Sequence, residues 1–300
     1  MLAVTILGNN SAIPAYGRHP TSQVITTGDD LLLFDCGEGS QIQILNLKIR
    51  RSRINHIFIS HLHGDHYFGL IGLISSFALL SRVQPLHVYG PAALEKIIEL
   101  QLLLAETKLP FDFTYHPITQ DGLLLETNHY TVECFSTRHR IECRGFKVCE
   151  KKHPRKVLSE KAKSLNIPVS FFHQLQRGED FIAPDGTRIT NETVTVENKK
   201  PKSYAFSADT IYDEDLVKVF KDVDLLYHEA TYPHALEAKA KERFHSTSKQ
   251  AAMIAEKAAA KKLLLGHFSA KFEDLSDFEK EAKEVFENTE LAKEGVTYLI

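Results

Sequence analysis

The chain reads as an α/β protein in which two mixed sheets face one another with helices outside. Three observations predict this. Short apolar runs alternate with helical stretches in both halves, residues of metal-ligand type stand directly after several of those runs, and between about residues 149 and 201 the alternation lapses as in an insertion. At 300 residues, 43% hydrophobic and 25% charged, the composition is that of an ordinary soluble globular protein, which excludes a disordered chain.

Leu2 to Leu7 is short, apolar and closed by Gly8-Asn9-Asn10, and Leu31 to Phe34 repeats the pattern ahead of Asp35-Cys36-Gly37-Glu38-Gly39, so both are predicted strands. Ile57-Phe58-Ile59-Ser60, β-branched and aromatic, is a short buried strand. Phe68 to Leu80, rich in small and apolar residues, predicts a helix suited to the core or to a subunit contact. Leu86 to Tyr89 is a strand, and Pro91 opens a helix to about Leu104, because proline fits a first helical turn. Val132 to Phe135 is strand-like. The second half gives a strand at Ser203 to Ser207, a helix at Asp215 to Phe220 and a strand at Leu225 to His228. A helix at Thr247 to Ala260, capped by Ser246 or Thr247, then precedes a strand at Leu263 to Gly266, a helix at about 274–288 and a last strand at Val296 to Leu299.

Between Cys149 and Pro201 the periodic apolar signal weakens, while Lys151-Lys152-His153-Pro154-Arg155-Lys156, Pro184-Asp185-Gly186 and Asn198-Lys199-Lys200-Pro201 punctuate the chain. This predicts an excursion rather than a second core. Residues 138–163 hold ten Lys or Arg against three Asp or Glu, an excess of +7 in a chain whose total is −3. A solvated face is the usual reading of such a run. The chain as a whole has no attraction for nucleic acid, so any such partner must meet a local patch. The longest apolar stretch, near 67–80, is broken by Gly69, Gly72, Ser75 and Ser76 and is too short to span a bilayer. Without a basic n-region ahead of an apolar core, a cytoplasmic location is expected. Cys36, Cys134, Cys143 and Cys149 form no Cys-x-x-Cys pair and are expected reduced.

His61-Leu62-His63-Gly64-Asp65-His66 sets three imidazoles and a carboxylate within six residues, on the loop leaving a strand. In extended backbone His61 and His63 project to one side, and Gly64 lets the chain bend so that Asp65 and His66 turn toward a neighbouring point. A His/Asp set without Cys suits a catalytic ion better than a closed structural site. Exposed loop histidines or a purification tag are the mundane alternatives, but a tag is terminal and lacks the Asp. His139, Asp209 and His267 follow apolar runs in the same manner. Singly each reads as a loop histidine or a capping aspartate; together with the first motif they complete a two-ion set.

With Phe34-Asp35-Cys36-Gly37-Glu38-Gly39-Ser40-Gln41, Ser207-Ala208-Asp209-Thr210, His228-Glu229-Ala230-Thr231, His245-Ser246-Thr247 and Gly266-His267-Phe268-Ser269, these residues resemble the metallo-β-lactamase fold and, within it, the short form of the tRNase Z family, over almost the whole chain. The ligand set is common to the superfamily; the Glu229 and His245 segments narrow it. The resemblance implies one αββα sandwich over residues 1–300, with a protruding substrate-binding arm inserted at 149–201. It implies two zinc ions per chain, with manganese or iron open. One ion would take His61, His63 and His139, the other Asp65, His66 and His267, and Asp209 would bridge them. It implies an endoribonuclease that removes the 3′ trailer from precursor tRNA, working as a homodimer with no membrane. Asp65 would orient or deprotonate the attacking water and His245 would assist the leaving RNA 3′-oxygen; that Glu229 would fix the tautomer of His245 is our own inference and not part of the resemblance. Selection of tRNA would fall to Lys151, Lys152, Arg155 and Lys156 at the arm root and to Arg18 near the N-terminus. Two features depart from the family pattern. Asn166 to Phe172 stands where many members carry a Gly-Pro-rich arm motif, and Pro14-Ala15-Tyr16-Gly17-Arg18 keeps an Arg but lacks the usual Lys.

Two rival classes fit part of the pattern. A small-molecule phosphodiesterase or thioester hydrolase of the same fold would share the ligands and leave the basic root unexplained. A non-catalytic, metal-stabilised RNA-binding protein would need neither Asp65 nor a bridging Asp209.

Overall fold

The computed structural model describes residues 1–28 and 30–300. Strands β1 (Leu2–Gly8), β2 (Ser22–Thr27), β3 (Asp30–Cys36), β4 (Ile54–Phe58), β5 (Leu86–Gly90) and β6 (Phe113–Pro117) belong to one sheet. The second holds β7 (Gly122–Glu126), β8 (Tyr130–Ser136), β9 (Arg144–Glu150), β10 (Ser203–Phe206), β11 (Leu225–Glu229), β12 (Leu263–Gly266) and β13 (Thr289–Leu291), and the last strand, β14 (Thr297–Leu299), returns to the first. The strand orders are β14-β1-β2-β3-β4-β5-β6 and β13-β12-β11-β10-β9-β8-β7. β3 to β6 run parallel, as do β10 to β13, so in each sheet the carboxyl ends of the parallel strands share one edge.

The sheets face one another through a shared apolar layer. Phe34, Phe58 and Tyr89 from the first meet Phe146, Tyr204 and Phe206 from the second, and the Phe34 and Phe146 rings lie 5.1 Å apart. Each fully buried side chain of this size contributes about 1.5–3 kcal/mol, so this layer dominates the stability of the pair of sheets. Helices α1 (Ser40–Asn46), α2 (Gly64–Tyr67), α3 (Leu70–Leu79) and α4 (Ala92–Leu104) belong to the first half, and α1, α3 and α4 cover the outer face of its sheet. Of α5 (Leu216–Val219), α6 (Glu237–Glu242), α7 (Ser248–Lys257) and α8 (Ser276–Lys283), the helices α5, α7 and α8 cover the second sheet. This is the αββα sandwich expected.

The helix expected over 68–80 begins earlier and breaks at Gly69. A Cβ there would meet the Gly37 carbonyl oxygen at 2.2 Å, so glycine lets α3 start against the end of β3. Thr247 caps α7 through a reciprocal pair with Gln250, at 3.2 and 3.0 Å.

Residues Glu150–Pro201 form a compact unit of their own. Two short antiparallel ribbons, Lys156–Val157 with Thr195–Val196 and Phe181–Ile182 with Arg188–Ile189, join three short helices around buried Ala162, Ile167, Leu175 and Val194. Buried Asn191 ties the unit together, donating to the Leu175 carbonyl at 2.7 Å and accepting from Thr195 Oγ1 at 2.7 Å. The sequence reading of this segment as an excursion without a core is therefore corrected. Four buried apolar residues spread over 33 positions are too sparse for a periodic signal, yet they suffice for a minor core.

Candidate metal centre

Each expected ligand sits where a strand ends. His61, His63, Asp65 and His66 occupy the loop and α2 after β4, His139 follows β8, Asp209 follows β10 and His267 follows β12. Backbone in the left-handed region recurs at these ends, at Asp35 (φ 54°), Ala208 (φ 53°) and His267 (φ 58°), strain of the kind that concentrates at functional sites.

The donors converge in two sets. His63 Nδ1 lies 3.0 Å from His61 Nε2 and 3.1 Å from His139 Nε2, with Asp209 Oδ2 at 3.6 and 3.7 Å from His61 and His139. In the second set His66 Nε2 is 3.3 Å from His267 Nε2, and Asp65 Oδ2 is 3.6 and 3.4 Å from the two. Asp209 reaches this set as well, at 3.5 Å from His66 and 3.3 Å from His267. Donors at the corners of a tetrahedron with bonds of about 2.0 Å are ~3.3 Å apart, so both sets have the spacing of ligands around a divalent ion.

Hydrogen bonds behind the donors fix which nitrogen faces the centre. Ser60 Oγ donates to Asp35 Oδ2 at 2.9 Å, so it accepts from His61 Nδ1 at 2.9 Å and leaves the Nε2 lone pair inward. His66 Nδ1 donates to Asp35 at 2.6 Å, and His139 Nδ1 donates to the Phe244 carbonyl at 2.9 Å. Thr231 Oγ1 donates to Glu229 at 2.8 Å and accepts from His267 Nδ1 at 2.9 Å. Four imidazoles thus present unprotonated Nε2 atoms, the arrangement that metal ligation requires. For His61 and His63 the electrostatics favour the neutral ring, whereas for His66 they hold a positive charge in the place a cation would take. Burial and neighbouring imidazoles push His61 well below the ordinary histidine value and His63 to about 4, keeping both neutral. Burial opposes a charge on His66, but Asp209, Asp65 and Asp35 outweigh it and raise His66 well above the usual value. Buried carboxylates at this density demand a cation, and Asp209 Oδ1 is buried without a hydrogen-bond donor.

His245 stands beside the centre with Nδ1 2.8 Å from Glu229 Oε1. Burial would lower its pKa, but the Glu229 carboxylate raises it to about 9. Glu229 is fully buried and also accepts from the backbone N–H groups of Thr210 at 3.0 Å and Thr231 at 3.1 Å. His245, Asp65 and His63 open onto a cavity of about 650 Å³, with Tyr232, Phe68 and the cations Arg140, Arg243 and Lys271 on its walls.

Arg18 does not line this cavity. Its guanidinium is spent on Asn10 Oδ1 at 3.0 Å and on the carbonyls of Phe272 and Glu273 at 2.5 and 3.2 Å, so it clamps two loops together. Part of the basic run is likewise engaged. Arg138 pairs with Asp213 at 3.0 Å, Arg144 with Asp121 and Glu142, and Lys147 donates to the Val219 carbonyl at 2.8 Å. Within the 150–201 unit, Arg155 donates to Thr195 at 2.7 Å, and Lys152, His153, Arg155, Lys199 and Lys200 line one basic hollow; Lys156 lies in its first ribbon. The stretch Asn166 to Phe172 lies in the fold of this unit, with Ile167 buried in its core and Phe171 and Phe172 packed against it. Sequence reasoning missed Asp35, Ser60 and Thr231 behind the ligands and Arg140, Arg243 and Lys271 on the rim. Asp35 and Thr231 carried a signal, each as part of a motif at a strand end, and Arg140 only as one of the basic run.

Facing sheets with His and Asp converging at their strand ends define a metal-dependent hydrolase of the metallo-β-lactamase fold. The crystal structure of the metallo-β-lactamase fold protein YhfI from Bacillus subtilis shares the fold, with a TM-score of 0.69 and 22% identity over 99% of this chain and 98% of that one. A family model described as Anti-Pycsar protein Apyc1 matches residues 2–152. Human tRNase Z, short form, is similar over 99% of both chains, with a TM-score of 0.73 and 28% identity. Ribonuclease Z of Bacteroides fragilis is 42% identical over 293 residues, 97% of this chain and 96% of the relative. The chain belongs to the ribonuclease Z family.

Proposed function

We propose that the protein is the endoribonuclease that removes 3′ trailers from precursor tRNA, with two zinc ions per chain held by His61, His63 and His139 on one side, by Asp65, His66 and His267 on the other, and bridged by Asp209. Manganese or iron(II) would also suit such donors. When bound, such a pair supplies Lewis acidity and a water of lowered pKa. The residues do the rest. Asp65, with Oδ2 also accepting from the Ala12 N–H at 2.6 Å, is placed to accept a hydrogen bond from the attacking water. Attack on phosphorus breaks the bond to the RNA 3′-oxygen, and His245, protonated through Glu229, gives that oxygen its proton. The products are a tRNA 3′-hydroxyl and a trailer with a 5′-phosphate. The Glu229–His245 contact carries this reading, because a structural ion needs no protonated histidine beside it.

The unit at 150–201 serves as the tRNA-binding arm, gripping phosphates through Lys151, Lys152, Arg155 and Lys156. A homodimer is supported by the apolar side chains exposed on and around α1, α3 and α4, among them Ile42, Leu45, Phe68, Leu79, Leu103 and Leu104. Among the described residues no helix is long and apolar enough to cross a membrane, and we place the enzyme in the cytoplasm with its substrate. Cleavage in ¹⁸O-water tests the chemistry. Label is expected in the trailer 5′-phosphate; a 2′,3′-cyclic phosphate on the tRNA would refute direct attack by water.

A further inference from the structure

The rim beside His245 carries charge that the chemistry above does not use. Lys239 and Lys271 are near neighbours, and the Lys271 ammonium holds Lys239 below the ordinary lysine value. Lys271 and Arg243 both line the catalytic cavity. Of the acids on the same helix, Glu237 accepts from Gln250 at 3.0 Å, and exposed Glu242 forms a surface ion pair with Arg243 at 3.6 Å, one acid against a cluster of three cations. Like charges this close repel, and such a cluster is completed by an anion. Lys239 also stands 5.7 Å from the ring centre of Tyr232, whose ring lies 6.3 Å from that of His245. The His245 N–H donates to the Ala240 carbonyl at 2.8 Å, which ties the general acid to the helix that carries Lys239.

We propose that Lys239, Lys271 and Arg243, beside Tyr232, form a subsite for the phosphate on the mature side of the cut, the first one 5′ to the scissile bond. The assignment rests on the ribonuclease reading. If His245 delivers its proton to the 3′-oxygen, its neighbours face the nucleotide that bears that oxygen. A charge-assisted contact to that phosphate sets the preference for a chain over a lone phosphodiester and fixes the register of the cut.

The test compares precursor tRNA carrying a neutral methylphosphonate at that one linkage with the all-phosphate precursor. The proteins are the wild type, Lys239→Gln, Lys271→Gln and the exposed, remote Lys218→Gln. For the wild type the neutral linkage is expected to lower kcat/KM about tenfold, and either rim variant is expected to lose about tenfold on the all-phosphate precursor. The two losses should overlap, so that the neutral linkage costs a rim variant less than about threefold, while Lys218→Gln follows the wild type on both substrates. An undiminished tenfold cost in both rim variants, or no cost in the wild type, would overturn the subsite and leave the ribonuclease reading standing. Failure of the wild type to cut the all-phosphate precursor would overturn both.

Discussion

Glu229→Gln keeps the shape of the side chain and removes its charge. In the native protein the buried carboxylate accepts four hydrogen bonds, from His245 Nδ1, the N–H groups of Thr210 and Thr231, and the Thr231 hydroxyl. An amide has one acceptor oxygen, so its NH2 group must face either His245 and Thr210 or the backbone donor of Thr231. With the NH2 toward His245 the imidazole accepts at Nδ1 and loses the partner that keeps it charged. Losing one buried charge-assisted hydrogen bond costs roughly 2–3 kcal/mol, or about 30–150-fold in kcat. The pH profile gives the sharper test. The pKa of His245 is raised to about 9, so the active protonated form persists through neutral pH and is lost as pH rises through that value. Without the carboxylate that pKa falls, and the alkaline limb of kcat moves to lower pH. Bound zinc is counted in the same samples, because Glu229 also orients His267 through Thr231. A variant with full zinc, unchanged kcat and an unmoved alkaline limb would refute a catalytic role for the pair.

Three further outcomes are expected. Asp35→Asn weakens the anchors of His61 and His66 and should lower zinc affinity about 10–100-fold in competition with a chelator, since partners behind ligands have effects of this size; unchanged affinity would remove Asp35 from the site. Stripping the metal should lower Tm, and zinc should restore it, because ions bound only by the folded chain stabilise it; a Tm indifferent to metal would deny that these carboxylates and imidazoles hold ions. Changing Lys151, Lys152, Arg155 and Lys156 together to Gln should weaken binding of precursor tRNA and flatten the slope of log affinity against log salt by about one for each phosphate no longer neutralised; an unchanged slope would place the RNA-binding surface elsewhere.

The elements that carry ligands were legible because each pairs a short apolar run with a reactive residue at its end, as in Leu263–Gly266 before His267. β2 was hidden because Ser22 and Gln23 are polar yet buried, Gln23 accepting from the Tyr204 hydroxyl. β9 was hidden because Arg144 and Lys147 make it look like part of a charge run, although Arg144 is buried against Asp121 and Glu142. Asp35, Ser60 and Thr231 are ordinary residue types whose roles exist only once neighbouring strand ends lie side by side. Glu229 and His245, 16 positions apart, were pointed out by the family resemblance and not by any local pattern.

The most direct measurement is cleavage of a 3′-extended precursor tRNA by the zinc-loaded protein beside its Asp65→Ala variant, with both product ends mapped. A single cut at the 3′ boundary of the mature tRNA, leaving a 3′-hydroxyl and absent in the variant, is the expected result. An intact precursor, with a generic phosphodiester or thioester turned over instead, would contradict it and make the protein a small-molecule hydrolase of the same fold.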